Sequence, residues 1–189
     1  MFNHLNYFSE NLSCADTNRD ELISKFELLS FKKGQFLMEA NDVCDHIMFV
    51  AEGCLLVKID KDDENVMIRE IVTPGFWLTD IHSFLEKKPS NLSIVALNET
   101  TVFALKREDY EYVKIHFPRF VEMALEVVGK VNKSLENRWF SFSNMTAEEK
   151  TEWYFSQKRF QRFEIPKKTI AQYLGIRPET FSRILKKMN

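Results

Sequence analysis

The sequence predicts an α+β fold: an antiparallel β jelly roll, then a long helix, then a C-terminal helix-turn-helix. Three observations predict it. Short apolar strands separated by turn residues fill residues 27–106, an apolar seam with steps of three and four runs through residues 121–142, and a helix–glycine–helix pattern closes the sequence. With 189 residues, 44% of them hydrophobic and 17 of them Phe, the chain can build one larger core and a small one. The expected domains are residues 1–118, a β domain with flanking helices; 119–142, a pairing helix; and 143–189, the helix-turn-helix.

The β domain comes first. Ile47–Ala51, Leu55–Ile59, Val66–Val72, Ser93–Leu97 and Thr101–Leu105 are short runs rich in β-branched or aromatic residues. Lys33-Gly34, Glu52-Gly53, Asp60–Asn65, Pro74-Gly75 and Asn98-Glu99 separate them as turns. Gly34, Gly53 and Gly75 suit positive φ in those turns. Many short, regularly spaced strands point to a jelly roll or sandwich.

Arg107–His116 reads as a short helix, and Pro118 breaks the chain before a longer one from Arg119 to about Phe142. Val121, Ala124, Val128, Val131, Leu135, Arg138 and Phe142 line one face of that helix, which spans about 36 Å. The first five of these apolar residues are the expected dimer interface, pairing with a second copy across a two-fold axis. The other reading packs the seam on the chain's own β domain, but a helix this long outreaches a small barrel. Arg138 interrupts the seam near its end. Thr146 and Glu149, three residues apart, predict a capping box opening a further helix to about Lys158.

Charge is uneven. The net charge is −2, yet residues 158–189 hold nine Lys/Arg against two Glu, so an acidic body carries a basic end. That asymmetry fits one small domain meeting a polyanion, although a solvated basic tail gives the same count. Cys14, Cys44 and Cys54 form no C-x-x-C pair and have no His at ligand spacing, which argues against zinc or an iron–sulfur cluster. No metal and no cofactor is expected. His4, His46, His82 and His116 are isolated, and no Ser/His/Asp, P-loop or metalloprotease pattern occurs, so the chain does not read as an enzyme. No apolar run is long enough to span a membrane, and residues 1–11 lack the basic and apolar regions of a signal peptide. A cytoplasmic location is expected.

The most informative stretch is Lys167–Lys187. Pro166 precedes the first helix, Gly175 can end it in the left-handed conformation, and Pro178 suits the first position of the second. Ile170, Leu174, Ile176, Phe181, Ile184 and Leu185 supply apolar faces, and Ala171 is small where the helices cross. On the second helix Glu179, Ser182, Arg183 and Lys186 share the opposite face. A major groove admits one helix, whose outward side chains must meet base edges. Arg183 can donate twice to guanine, and Glu179 can accept from a cytosine amine. Lys167, Lys168, Thr169, Arg177, Thr180, Lys186 and Lys187 suit the remaining DNA contacts, the lysines as phosphate contacts that position the helix. Glu179 near a helix N-terminus and Lys186-Lys187 near a C-terminus are also favoured by the helix dipole alone.

Gly175-x-x-x-Glu179-Thr180-x-x-Arg183-Ile184-Leu185-Lys186 resembles the recognition region of Crp/Fnr-type bacterial transcription regulators. The order of parts agrees over nearly the whole chain. The resemblance implies that Glu179 and Arg183 match base-contacting positions, and that the partners are double-stranded DNA, a second copy of the chain, RNA polymerase and a small effector. Pro178 stands where many members carry another arginine, and Arg177 where a Ser or Thr cap is usual. No wing is expected after the second helix, because Asn189 follows closely. Cyclic-nucleotide members hold the phosphate with Gly-Glu and Arg-Ser pairs; here Thr79-Asp80 and Ser90-Asn91 stand in their place. Without the glycine the backbone cannot approach as closely, and without the arginine no guanidinium fork meets the anion. A cyclic nucleotide is therefore not the expected ligand. Trp77, Thr79, Asp80, Ser90 and Asn91 are the candidate lining of a pocket for another small effector, the alternative being a pocket filled by the domain's own Phe, Trp and Met. The expected function is a homodimeric, sequence-specific transcription regulator; the alternative is a small-molecule or nucleotide sensor module signalling through protein contacts.

Overall fold

The computed structural model describes residues 4–12, 18–60 and 66–188. Cys14 and the turn at 61–65 lie outside the described residues. Two helices, α1 (His4–Asn11) and α2 (Arg19–Ser24), lead into eight strands: β1 (Phe26–Phe31), β2 (Phe36–Met38), β3 (His46–Glu52), β4 (Leu55–Asp60), β5 (Val66–Val72), β6 (Trp77–Leu78), β7 (Ser93–Ala96) and β8 (Thr100–Lys106). A short helix, α3 (Ile81–Glu86), falls between β6 and β7. Five helices follow: α4 (Arg107–His116), α5 (Pro118–Asn144), α6 (Ala147–Ser156), α7 (Lys167–Leu174) and α8 (Pro178–Met188).

The strands form two four-stranded antiparallel sheets, ordered β1-β8-β3-β6 and β2-β7-β4-β5. The expected jelly roll is present. Its strands read as continuous apolar runs rather than alternating ones because both faces of each sheet are covered. In β3 and β8, Met48, Val50, Val102 and Ala104 face the interior between the sheets, while Phe49, Phe103 and Leu105 face outward against helices. In β4 and β7, Leu55, Val57, Ile94 and Ala96 face the interior, while Leu56 and Val95 face outward.

The outer face of the first sheet is covered by α1 and the α4–α5 corner. Phe8 sits at the centre, stacked on Phe103 at 4.2 Å and edge-on to Phe26 at 4.9 Å. Trp77 and Phe120 complete this aromatic layer. α1, α2, β1, β2, β6 and α3 are each eight residues or fewer, too short to give a clear periodic signal in the sequence.

The outer face of the second sheet is covered by α6, α7 and α8. Leu56, Ile68 and Ile71 from the sheet share one core with Tyr154, Phe160, Ile170, Leu174 and Phe181. The C-terminal unit therefore does not enclose its core alone. Between them, β5 carries a register shift: Ile68 pairs with Lys58 and Glu70 with the next residue, Val57, leaving Arg69 as an extra residue. Such a bulge re-aims neighbouring side chains. Here Glu70 and Ile71, adjacent in sequence, both reach the helical side.

Candidate nucleic-acid interface

Helix α7 ends where only glycine is comfortable. Gly175 has φ 65°, and its N–H and that of Ile176 donate back to the carbonyls of Gln172 and Ala171, closing two of the helix's last carbonyls. Pro178 then opens α8, and Phe181 N–H donates to the Arg177 carbonyl at 3.0 Å. Phe181 turns into the shared core with Ile170, Ala171 and Leu174, and Ile184 is buried as well. Helical periodicity leaves Glu179, Ser182, Arg183 and Lys186 exposed on the other side. Among the described residues none of these four side chains has a hydrogen-bond or ion-pair partner in the protein. Their donors and acceptors face solvent together.

The basic end divides. Lys158, Arg162, Lys167, Lys168, Arg177, Arg183, Lys186 and Lys187 are exposed. Thr169 and Thr180 are half-buried beside them. Arg159 is not part of this surface. Its guanidinium lies 5.2 Å from the Phe76 ring and 4.4 Å from the Phe160 ring, and ion-pairs with Glu70 at 3.4 Å. Sequence reading had counted Arg159 only as charge and had not singled out Lys158 or Arg162.

Upstream, Thr146 and Glu149 form the expected capping box, with Thr146 N–H donating to the Glu149 carboxylate at 2.7 Å and Glu149 N–H to Thr146 Oγ at 3.2 Å. On α5, Val121, Ala124, Val128 and Leu135 are half-buried and Val131 is exposed. The last two residues of the seam leave it. Phe142 packs edge-on against Trp153 at 5.0 Å, and Arg138 turns inward to Glu70 and the Tyr173 ring. Leu125, Trp139 and Phe140 stand out instead, at 68%, 73% and 68% exposure. A strict three–four seam overlooks all three.

Of the five residues proposed to line an effector pocket, Asp80 and Ser90 meet, with Thr79 and Asn91 next to them in the chain, while Trp77 faces elsewhere. Trp77 belongs to the aromatic layer around Phe8, on the outer face of its sheet. Asp80 caps α3, accepting from Ser83 N–H at 3.3 Å and from the Ser90 hydroxyl at 2.6 Å. Ser90 Oγ in turn accepts from Leu92 N–H, Thr79 donates to the His46 carbonyl, and Asn91 is exposed. The Asp80 carboxylate and the Ser90 and Thr79 hydroxyls are thus each answered by a protein group. Phe84, Met38, Met48, Leu92 and their neighbours fill the interior between the sheets. A half-open cavity of about 320 Å³ runs along Leu37, Met38, Val43, Cys44, Asp45 and His46; none of the five lines it, although Thr79 bonds both Cys44 and His46. Burial lowers the His46 imidazole pKa there, against the pull of Asp45.

Comparison with known proteins finds one family model that matches part of the chain. Residues 28–113 match the cyclic nucleotide-binding domain. No curated protein sequence matches the chain. Among solved structures, FixK2 from Bradyrhizobium japonicum is similar at 19% identity and a TM-score of 0.73, covering 86% of this chain and 84% of its own. A protein described as a Crp/Fnr-family transcriptional regulator from Eubacterium rectale aligns at 16% identity and a TM-score of 0.73, over 97% and 87% of the two chains. The c-di-GMP-responsive global regulator CLP from Xanthomonas campestris aligns at 11% identity and a TM-score of 0.71, over 89% of each. At these identities the likeness is one of fold. A roll of two sheets, a long helix on its flank and a helix-turn-helix seated on its second sheet, with a cyclic nucleotide-binding domain at residues 28–113, give this chain the fold of the Crp/Fnr-type transcription regulators.

Proposed function

We propose that the protein is a homodimeric, sequence-specific DNA-binding transcription regulator of the cytoplasm, reading base edges with α8. The observation that carries this reading is the unpartnered row Glu179, Ser182, Arg183 and Lys186, backed by the buried Phe181 and Ile184. Arg183 donates to guanine and Glu179 accepts from cytosine, while Lys167, Lys168, Arg177, Lys186 and Lys187 hold phosphates. Exposed Leu125, Val131, Trp139 and Phe140 on α5 support pairing with a second copy, which sets two recognition helices on half-sites about one helical turn apart. RNA polymerase is the further partner that this reading implies. The effector, where one acts, is not a cyclic nucleotide: Asp80 and Ser90 are bonded to each other, and the segment 79–91 carries no arginine.

The test is a selection of DNA sequences by wild type and Arg183→Ala at one fixed salt concentration. Wild type is expected to enrich a near-palindromic site, and the variant to lose about 1–3 kcal/mol of discrimination at one base pair in each half-site. Enrichment of no common sequence, or equal selectivity of the two proteins, refutes readout by α8.

A further inference from the structure

Among the described residues, the junction between the second sheet and the C-terminal unit is built on an apolar core and carries one charged cluster. There the Glu70 carboxylate, 25% exposed, meets three side chains from the helical half of the chain. Oε1 accepts from the Tyr173 hydroxyl at 3.2 Å and from Arg159 Nη2 at 3.4 Å. Oε2 lies 3.4 Å from Arg138 Nη1, a buried nitrogen with no hydrogen bond, whose charge Glu70 balances. Arg138 Nη2 donates to the carbonyl of Arg69, the bulge residue, and its guanidinium stacks on the Tyr173 ring at 4.6 Å. Arg159 is held between the rings of Phe76 and Phe160. Thus one carboxylate joins β5, the long helix α5, the α6–α7 segment and α7.

An apolar face alone permits sliding, because burial is non-directional. A carboxylate held by two guanidinium groups and a phenol is directional, and moving the unit would strand buried charge. The geometry points to Glu70, with Arg138, Arg159 and Tyr173, as a registering joint that fixes the orientation of the helix-turn-helix on the β domain, and thereby the spacing at which a dimer presents its two recognition helices. This rests on the DNA-binding reading above and names how that site is oriented. Glu70 acts as a positioning residue; it touches no DNA. Phe76, four residues before Asp80, lies against Arg159, so the joint also reaches the segment that leads into α3.

The experiment compares wild type, Glu70→Gln and Arg159→Gln. Hydrogen exchange of α7 and β5 amides is read without DNA, and binding is measured to single half-sites and to paired half-sites of varied spacing. The joint requires exchange in α7 to quicken by about tenfold or more, while β3 and β8 stay protected. It further requires that single half-site affinity holds within about twofold while the preference for one spacing, an avidity effect, falls by roughly tenfold. A merely structural loss would weaken single and paired sites alike. Should Glu70→Gln unfold the roll, Arg159→Gln carries the same test, since its loss leaves the Glu70–Arg138 pair in place. Unchanged α7 exchange in both variants overturns the joint, as does an unchanged spacing preference. If wild type selects no sequence at all, the DNA-binding reading fails while the exchange arm still decides the joint.

Discussion

Gly53 and Gly175 hold positive φ, at 87° and 65°, for different neighbours. A Cβ on Gly175 would meet nothing within 4 Å, so the cost of Gly175→Ala is the left-handed backbone alone, about 1–2 kcal/mol. A Cβ on Gly53 would fall 2.4 Å from the Glu99 carbonyl oxygen and from Thr100 Oγ1, in a turn whose Thr100 hydroxyl also bonds Cys54. Gly53→Ala is therefore expected to destabilise more than Gly175→Ala, and the order of the two urea midpoints checks it. Both glycines were legible as turn residues, but the difference between them was not, because the close approach of residues 99 and 100 is a tertiary fact.

Among the elements, α5 divides into two parts. Phe120 and Met123 pack on the aromatic layer, Leu125 and Val131 stand exposed, and towards the end of the helix Arg138 and Phe142 are taken up by the junction. Leu125→Glu or Val131→Glu would place a charge on the face proposed to meet a second copy. Each is expected to shift the protein from dimer to monomer at micromolar concentration in sedimentation while leaving the unfolding midpoint of the roll nearly unchanged. A variant that remains dimeric at all concentrations would remove this face from the interface. The helix itself was plain in the sequence, since its apolar period persists over several turns. Its partition was not. Arg138 read as a defect in a seam because a guanidinium among valines has no local explanation; its acid, Glu70, lies 68 residues earlier, in a strand whose register is altered by Arg69. The helix-turn-helix was the most legible part, since glycine, proline and the split of polar and apolar residues act within 20 residues of one another. The surroundings of the five candidate pocket residues were less legible, for the opposite reason. Trp77 and Thr79 lie two residues apart, but Trp77 faces the outer aromatic layer, while Thr79 bonds the His46 carbonyl of β3 and Asp80 bonds Ser83 and Ser90.

At the scale of the molecule, the helical cover on the second sheet buries three ionisable groups together: Cys54, Tyr154 and Tyr173. Burial pushes the Cys54 thiol from its ordinary 9.0 up to about 12 and the Tyr173 phenol from 10.0 up to about 12, and raises Tyr154 as well. The unfolded chain would release these protons from pH 9–10 onward, whereas the folded chain holds them to about 12. The folded state thus binds more protons in that window, so stability is complete below it and declines as pH rises through it. The expected result is a denaturation midpoint that is flat near neutral pH and falls above about 9, with Cys54→Ala removing the onset of the decline. Phenolate absorbance should rise with unfolding and not ahead of it; ionisation of all the tyrosines in the still-folded protein would contradict the burial.

The shared core has a further consequence for how such a protein can be cut and recombined. A chimera joined at Asn144 would look tidy on a diagram of the chain, yet it would pair Leu56, Ile68, Glu70 and Ile71 with helices that never complemented them. The functional cassette is the C-terminal unit together with the outer face of β4 and β5. A graft that transfers α6–α8 with those strand positions should fold where the bare tail would not. Substitutions on β5 and on α7 are coupled through this core, whereas the exposed row Glu179, Ser182, Arg183 and Lys186 can change without disturbing it.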